Sequence, residues 1–169
     1  QYSAYYVEEI DGTFSASISQ LELEKPVDGF VQIKVTHSSL NYKDALSASG
    51  NKGVTKNYPF VPGIDAAGII SDSNASHFTE GDEVLVTGYD MGMNTPGGFG
   101  EYINVPTNWV VKKPSSLTSL EAMSIGTAGL TAAASVAKIQ ESSQESDLPV
   151  LVSGATGGVG SIGVMLMSK

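Results

Sequence analysis

The densest glycine cluster of the chain lies between two apolar runs near its C-terminal end. The run VLV at 150–152 is followed by GATGGVG at 154–160 and then by VMLM at 164–167. This order predicts a strand, a tight turn and the start of a helix. Glycines let a backbone approach a pyrophosphate, and a helix N-terminus offers free amides and a partial positive charge. The pattern indicates a dinucleotide-binding loop, with a glycine-rich turn without a ligand as the alternative.

Two other kinds of nucleotide-binding loop do not fit this segment. A Walker loop needs Lys and then Ser or Thr after its last glycine, whereas Gly160 is followed by Ser161 and Ile162. A short-chain dehydrogenase carries its loop near the N-terminus, whereas this one begins at Gly154. The residue that selects NAD or NADP is expected about 20 residues beyond the glycines. The sequence ends at Lys169, so the choice of nicotinamide stays open.

Charge and cysteine content exclude several classes of protein. The chain has 169 residues with 9 Lys and Arg against 18 Asp and Glu, a net charge of −9. Such an acidic balance argues against a nucleic-acid partner, since phosphate binding needs clustered cations. No apolar run reaches the roughly 18 residues of a membrane span, so no membrane partner is expected. With 0 cysteines, disulfides and thiol catalysis are excluded, and a cytoplasmic location is expected.

The first two-thirds of the chain read as short strands and turns. A β-prone run at 4–7 ends at the turn signal Asp11-Gly12, and FVQIKV at 30–35 alternates apolar and polar residues. A short helix is expected near Asp44. Many short strands at close spacing predict a compact barrel or sandwich. Further strand-like runs lie at 66–70, 81–86, 102–105 and 109–111.

The pattern changes at Pro114, after which helices are expected. Thr118 and Glu121 have capping-box spacing, in which each side chain bonds the backbone of the other residue. A helix from there should be interrupted at Gly126. An alanine-rich second helix is expected over 130–136, and the polar segment 140–147 is expected to be an exposed connection.

Five short motifs occur along the chain: SLNYKDA at 39–45, PGIDAAG at 62–68, GDEV at 81–84, GTAGLTA at 126–132 and the loop at 154–160. In these motifs and their order the chain resembles the medium-chain dehydrogenase/reductase superfamily, most closely its zinc-free quinone oxidoreductase branch, which includes bacterial acrylyl-CoA reductases. The resemblance implies a mixed α+β and α/β fold. A GroES-like β-barrel domain would occupy 1–117, and 118–169 would begin a Rossmann cofactor-binding domain, within which the chain would be truncated.

The resemblance also bears on metal binding. Zinc-dependent alcohol dehydrogenases of this superfamily hold their catalytic zinc with a Cys, a His and a second Cys. Alignment of the motifs puts Asn41, Ile64 and Thr127 at those positions. Since an isoleucine and a threonine cannot replace imidazole and thiolate, no metal is expected.

The candidate catalytic residues are Asn41, Tyr42 and Asp44. Asn41 and Tyr42 can donate hydrogen bonds to a developing enolate, and Asp44 could orient them. Locally, the alternative is a polar helix start in which Asn41 is the N-cap and Asp44 caps in return. The resemblance favours the catalytic reading, because this motif lies at the nicotinamide site in the family, with Tyr42 against the cofactor. Thr131 aligns with a threonine beside the nicotinamide ring; the alternative is a helix-face hydroxyl.

The implied activity is zinc-independent hydride transfer from NADPH to a quinone or an α,β-unsaturated (enoyl) acyl compound. The alternative is a catalytically inert barrel module without functional cofactor binding. Tyr89, Met91, Met93 and Phe99 either line a substrate cleft or pack in the core. The implied NADPH-binding residues are Tyr42, Thr131, Gly154, Thr156, Gly157, Gly158, Val159 and Gly160.

An oligomer is expected as well. The predicted strand at 150–152 would lack parallel neighbours within the chain, leaving its backbone groups on an exposed sheet edge. Such an edge predicts a homo-oligomer formed by pairing with another subunit.

Overall fold

The computed structural model describes residues 1–142 and 149–168. The chain forms two compact units, Gln1–Ser124 and Ile125–Lys169. Most of the segment expected to be an exposed connection, residues 143–147, lies outside the described residues, and 140–142 belong to a helix.

The first unit is built on antiparallel strands. Five of them form one sheet in the order β6-β3-β4-β5-β7, while β1 and β2 form a separate two-stranded sheet. The strands are β1 (Tyr2–Ile10), β2 (Thr13–Leu21), β3 (Phe30–His37), β4 (Asp65–Ser73), β5 (Glu83–Thr87), β6 (Tyr102–Pro106) and β7 (Val111–Lys112).

The main hydrophobic cluster of this unit is formed largely by alternate residues of the five-stranded sheet. The alternation predicted for β3 places Val31 and Ile33 in the core, each at most 1% exposed. Apolar side chains of the neighbouring strands pack with them, and the burial of this apolar surface stabilises the sheet. The core cluster consists of Val31, Ile33, Ala66, Ile70, Phe78, Val84, Val86, Met91, Ile103, Val105 and Val110.

The β1–β2 hairpin turns at Asp11 and Gly12, whose φ angles of 51° and 75° are those of a two-residue type I′ turn. This confirms the turn signal. β2 was not predicted, although its sequence has a strand signal: Phe14, Ala16 and Ile18 alternate with serines. The apolar face that these residues form is short and largely exposed.

Helices begin where the local signals place them. α1 (Tyr42–Ala48) starts after the N-cap Asn41. α2 (Ser119–Ser142) leaves helical geometry at Gly126, with φ 49° and ψ −158°, which confirms the predicted interruption. The helix beyond the break is longer than the predicted 130–136. Although α2 as a whole meets the length and hydropathy of a membrane span, neither part of the broken helix reaches the roughly 20 residues that a span needs.

The prediction of a strand at 150–152 is wrong. These residues form no strand in the structure, and Leu151 is 94% exposed. A strand exists only through hydrogen bonds to a neighbour, and none of the described strands pairs with this segment. The chain reaches a tight turn at 153–156 and then α3 (Gly158–Met167), as the glycine pattern predicted. An oligomer formed through an edge at 150–152 stays a prediction without a strand to support it.

Candidate active site

The N-terminus of α1 is anchored by one carboxylate. Asp44 Oδ2 accepts a hydrogen bond from the backbone N–H of Asn41 at 2.8 Å, and Oδ1 accepts one from the N–H of Ile64 at 2.9 Å. Asp44 is therefore a cap, as the local alternative predicted. It also fixes the helix start to the turn before β4, which a cap on its own helix would not do.

The side chain of Asn41 is held by a second carboxylate. Its Nδ2 donates to Oδ2 of Asp65 at 2.9 Å, and Asp65 is fully buried. Ser38 Oγ donates to the carbonyl oxygen of Asp65 at 2.6 Å. Since a carboxylate only accepts, Asp65 fixes the amide nitrogen toward itself. Asp65 was not among the residues predicted from the sequence, although an acid inside the apolar run GIDAAG is an available signal.

Asp44 is 2% exposed, and this burial raises the pKa of its carboxyl above the ordinary value of 3.8. The hydrogen bonds from Asn41 and Ile64 act in the opposite direction, because they favour the charged form. The negative charge of Asp65 raises the pKa further. Burial outweighs the hydrogen bonds, so Asp44 holds its proton to higher pH than a free aspartate.

A cleft of about 580 Å³ opens beside this network. Asn41, Ala45 and Ala48 follow one another at helical spacing along one side of it. Tyr5 and Phe99 are also in the lining, packed edge to face with their ring centroids 6.3 Å apart. Leu40 and Asp44 complete the lining. The cleft is therefore apolar along its length and polar at the start of α1.

Of the four side chains expected either to line a substrate cleft or to pack in the core, one lies in this cleft. Phe99 lines it, held by a hydrogen bond from its N–H to the carbonyl oxygen of Pro62 at 3.0 Å. Met91 packs in the core, and Tyr89 stacks on Trp109 with ring centroids 5.2 Å apart. Neither Tyr89, Met91 nor Met93 lines the cleft.

Tyr42 stands apart from the other two catalytic candidates. It is the first residue of α1, its side chain is 80% exposed, and it does not line the cleft. Of the predicted catalytic residues, the structure brings Asn41 and Asp44 together and turns Tyr42 to solvent.

The second unit contains the predicted glycine loop, residues 154–160, whose first part, called the glycine turn below, leads into α3. Gly157 is the N-cap of α3. A Cβ on Gly160 would lie 2.2 Å from the carbonyl oxygen of Gly154, a distance that no side chain can occupy. Gly154 has a φ of 63°, which favours glycine. A cavity of about 480 Å³ in this unit is lined by five of the predicted cofactor-binding residues, Gly154, Gly157, Gly158, Val159 and Gly160.

The two predicted threonines do not line that cavity. Thr131 Oγ1 donates to the carbonyl oxygen of Thr127 at 2.7 Å, one turn back in its own helix. This contact fits the helix-face alternative, and the hydroxyl oxygen keeps its capacity to accept. Thr156 is exposed on the turn.

Three residues align with the zinc ligands of zinc-dependent alcohol dehydrogenases: Asn41, Ile64 and Thr127. None of them is a cysteine or a histidine. Asn41 bonds Asp65, and Ile64 is buried at 3% exposure. Within residues 1–142 and 149–168, no three His, Asp or Glu side chains lie close enough to share a metal ion.

The architecture and the motifs agree with a comparison with known protein families. Residues 27–115 match the family model of the alcohol dehydrogenase GroES-like domain. The chain belongs to this family, which confirms the resemblance drawn from the motifs.

Individual relatives are similar to the chain over most of its length. The "Putative quinone oxidoreductase YhfP" of Bacillus subtilis is 46% identical over 85% of the chain and 44% of the relative. The "Probable acrylyl-CoA reductase AcuI" of Escherichia coli is 41% identical over 98% of the chain and 52% of the relative. The crystal structure of the yhdH oxidoreductase from Salmonella enterica in complex with NADP is 42% identical, with a TM-score of 0.92 over 98% of the chain and 51% of that structure.

The chain thus spans about half the length of the curated relatives it matches. These matches confirm the predicted fold class, a GroES-like domain followed by the beginning of a Rossmann cofactor-binding domain.

Proposed function

We propose that the protein is a zinc-independent oxidoreductase that uses NADPH to reduce quinones or α,β-unsaturated acyl compounds. The observation that carries the proposal is the apolar cleft that ends at an amide held by a buried carboxylate, Asn41 on Asp65. Relatives named as a quinone oxidoreductase and an acrylyl-CoA reductase support it. We further propose that 1–117 form the substrate domain and 118–169 the start of the cofactor domain.

The residues of the glycine turn fit a dinucleotide. The close approach of Gly160 to Gly154 leaves no room for a side chain, so backbone forms the surface of the turn. The first amides of α3, from Gly158 on, have no partner within the helix and suit a pyrophosphate. Thr156 lies on the same turn, and the exposed ring of Tyr42 and the hydroxyl of Thr131 are further proposed contacts. When bound, the cofactor supplies the hydride.

The chain's own polar groups act on the substrate oxygen. One N–H of the Asn41 amide is committed to Asp65, and the other remains for a substrate carbonyl or quinone oxygen. Such a bond strengthens as negative charge develops on that oxygen. Asp44 positions Asn41 by holding its backbone N–H. The apolar walls formed by Tyr5 and Phe99 exclude water around the reacting carbon atoms.

Cofactor binding is tested by titration of NADPH and NADH with the purified protein, followed by nicotinamide fluorescence. We expect saturable binding of NADPH. Gly160→Ala should abolish it, because the added methyl group meets the backbone of Gly154. Ser161→Ala is the control, since Ser161 lies on the same helix outside the lining of the cavity. Absence of saturable binding would contradict the proposal and favour an inert barrel module.

Catalysis is tested by reduction of acrylyl-CoA and of benzoquinone with either nicotinamide. Asn41→Ala should lower kcat by about 10²-fold, the usual loss for one donor to a developing oxyanion. Lys43→Ala, an exposed neighbour outside the cleft, should leave kcat unchanged. If both variants retain the wild-type rate, Asn41 is not the oxygen donor.

We also propose a cytoplasmic location, which the absence of cysteine supports.

A further inference from the structure

The β1–β2 hairpin has one free edge. β1 is paired on both sides: with β2 along its length, and with loops through Tyr5 N–H to the Phe99 carbonyl and Val7 N–H to the Phe60 carbonyl, each at 2.8 Å. β2 pairs with β1 alone among the strands that the structure describes. Among the described residues, loops form no backbone hydrogen bond with the outer edge of β2 either, so its N–H and C=O groups face solvent there.

The turn geometry decides which groups these are. A two-residue type I′ turn makes Ile10 and Thr13 a hydrogen-bonded pair, and pairing alternates from there. The bonds from Tyr5 and Val7 to the loops agree, since odd-numbered residues of β1 face away from β2. On β2 the outward-facing N–H and C=O groups are consequently those of Phe14, Ala16, Ile18 and Gln20.

This edge lacks the features that usually prevent strands from associating. β2 contains no charged residue and no proline. Its register with β1 runs from Tyr2↔Leu21 to Ile10↔Thr13 without a bulge. Ile18 is 72% exposed. Natural edge strands are normally protected by lysine, proline, a bulge or short length. A long, regular and uncharged edge is suited to pair with another strand.

We propose that two copies of this chain associate through their β2 strands, antiparallel, about a two-fold axis at Ser17. The four outward-facing residues are centred on Ser17, so the edge is complementary to itself. In this register Ala16 lies opposite Ile18 of the second copy, and Phe14 lies opposite its Gln20. Every outward-facing N–H and C=O of β2 then has a partner, and the two hairpins form one four-stranded sheet.

The side chains are compatible with this register. Ser17 meets its own copy, and Ser15 meets Ser19 of the second copy, so small polar groups face one another. The acidic residues that flank β2 do not oppose each other: Asp11 faces Leu23, and Glu22 faces Gly12. Because each copy carries a net charge of −9, added salt should strengthen the association by screening long-range repulsion.

The register is tested by single cysteines in a chain that has no cysteine of its own. In Ser17→Cys the two thiols lie at a non-hydrogen-bonded pair, with Cα atoms about 4.5 Å apart, within the range of a disulfide. In the matched control Ser15→Cys, four residues separate the thiols along the strand, about 13 Å. Under mild oxidation we expect Ser17→Cys to form a covalent dimer and Ser15→Cys to remain uncrosslinked. Equal crosslinking of the two variants, or none by Ser17→Cys, would overturn the proposal.

Sedimentation of the unmodified chain tests the surface independently. Ile18→Lys places a charge on the free edge and should weaken dimerisation by roughly tenfold. Val27→Lys adds the same charge at a residue that is 64% exposed outside β2, and should not weaken it. A chain that stays monomeric at all concentrations, or that dimerises equally well with Ile18→Lys, would contradict pairing through β2.

Discussion

Two helix starts in the first unit share one design and differ in their surroundings. At α1, Asp44 accepts from the N–H of Asn41 three residues back; at α2, Glu121 accepts from the N–H of Thr118 at 2.8 Å. Asp44 is buried, whereas Glu121 is exposed. The pKa of Asp44 is raised by burial, and that of Glu121 is lowered by its hydrogen bonds with Thr118.

The difference lies in what packs against each capping carboxylate. Where a second segment of the chain buries the carboxylate, it can bond that segment as well as its own helix. Among the described residues, the Glu121 carboxylate hydrogen-bonds only with Thr118, so it serves its own helix. Asp44 also bonds the N–H of Ile64, which joins α1 to the turn before β4 and positions Asn41 at the cleft. The same local signal therefore marks an ordinary helix start in one place and part of a candidate active site in the other.

The largest expected difference between the two sites is in stability. Asp44→Ala leaves the N–H groups of Asn41 and Ile64 without an acceptor, which should cost about 2–4 kcal/mol in the free energy of unfolding. Glu121→Ala leaves the N–H of Thr118 accessible to water, which can replace the lost acceptor, so the loss in the free energy of unfolding should be much smaller. Denaturant unfolding of both variants measures this. Equal losses would show that burial does not distinguish the two motifs.

The contributions of Asp44 and Glu121 to stability are expected to change with pH in opposite directions. This effect is smaller than that of the alanine substitutions. The folded state binds the Asp44 proton more tightly than the unfolded state, so this group's contribution to stability falls as pH rises above 3.8 toward the raised pKa. Glu121 contributes stability above its ordinary value of 4.5, and this contribution is lost as pH falls through its lowered pKa.

Unfolding of Asp44→Asn and Glu121→Gln between pH 3 and pH 7 separates these contributions. Relative to each variant, the unmodified chain should lose stability with rising pH in the first comparison and gain it in the second. Slopes of the same sign in both comparisons would refute the assignment of burial as the dominant cause at Asp44.

Much of the fold could be predicted from local patterns. The alternation of β3, the Asp11-Gly12 turn, both helix starts and the break at Gly126 depend on near neighbours in the sequence, and the structure has all of them. The strand expected at 150–152 is absent because a strand needs a partner that no local pattern supplies. β2 was missed although Phe14, Ala16 and Ile18 alternate with serines, because that short apolar face is largely exposed and the strand is held by its pairing with β1.

By itself, the sequence determined where helices begin, where the chain turns, and that Gly154 and Gly160 leave only backbone at the glycine turn, because these properties follow from the local chemistry of each residue. The tertiary structure alone decided that Asp44 is buried, that Asp65 holds Asn41 and that Phe99 rather than Met91 faces the cleft. Those outcomes depend on which distant segments pack together, and burial and hydrogen-bond partners are properties of that packing.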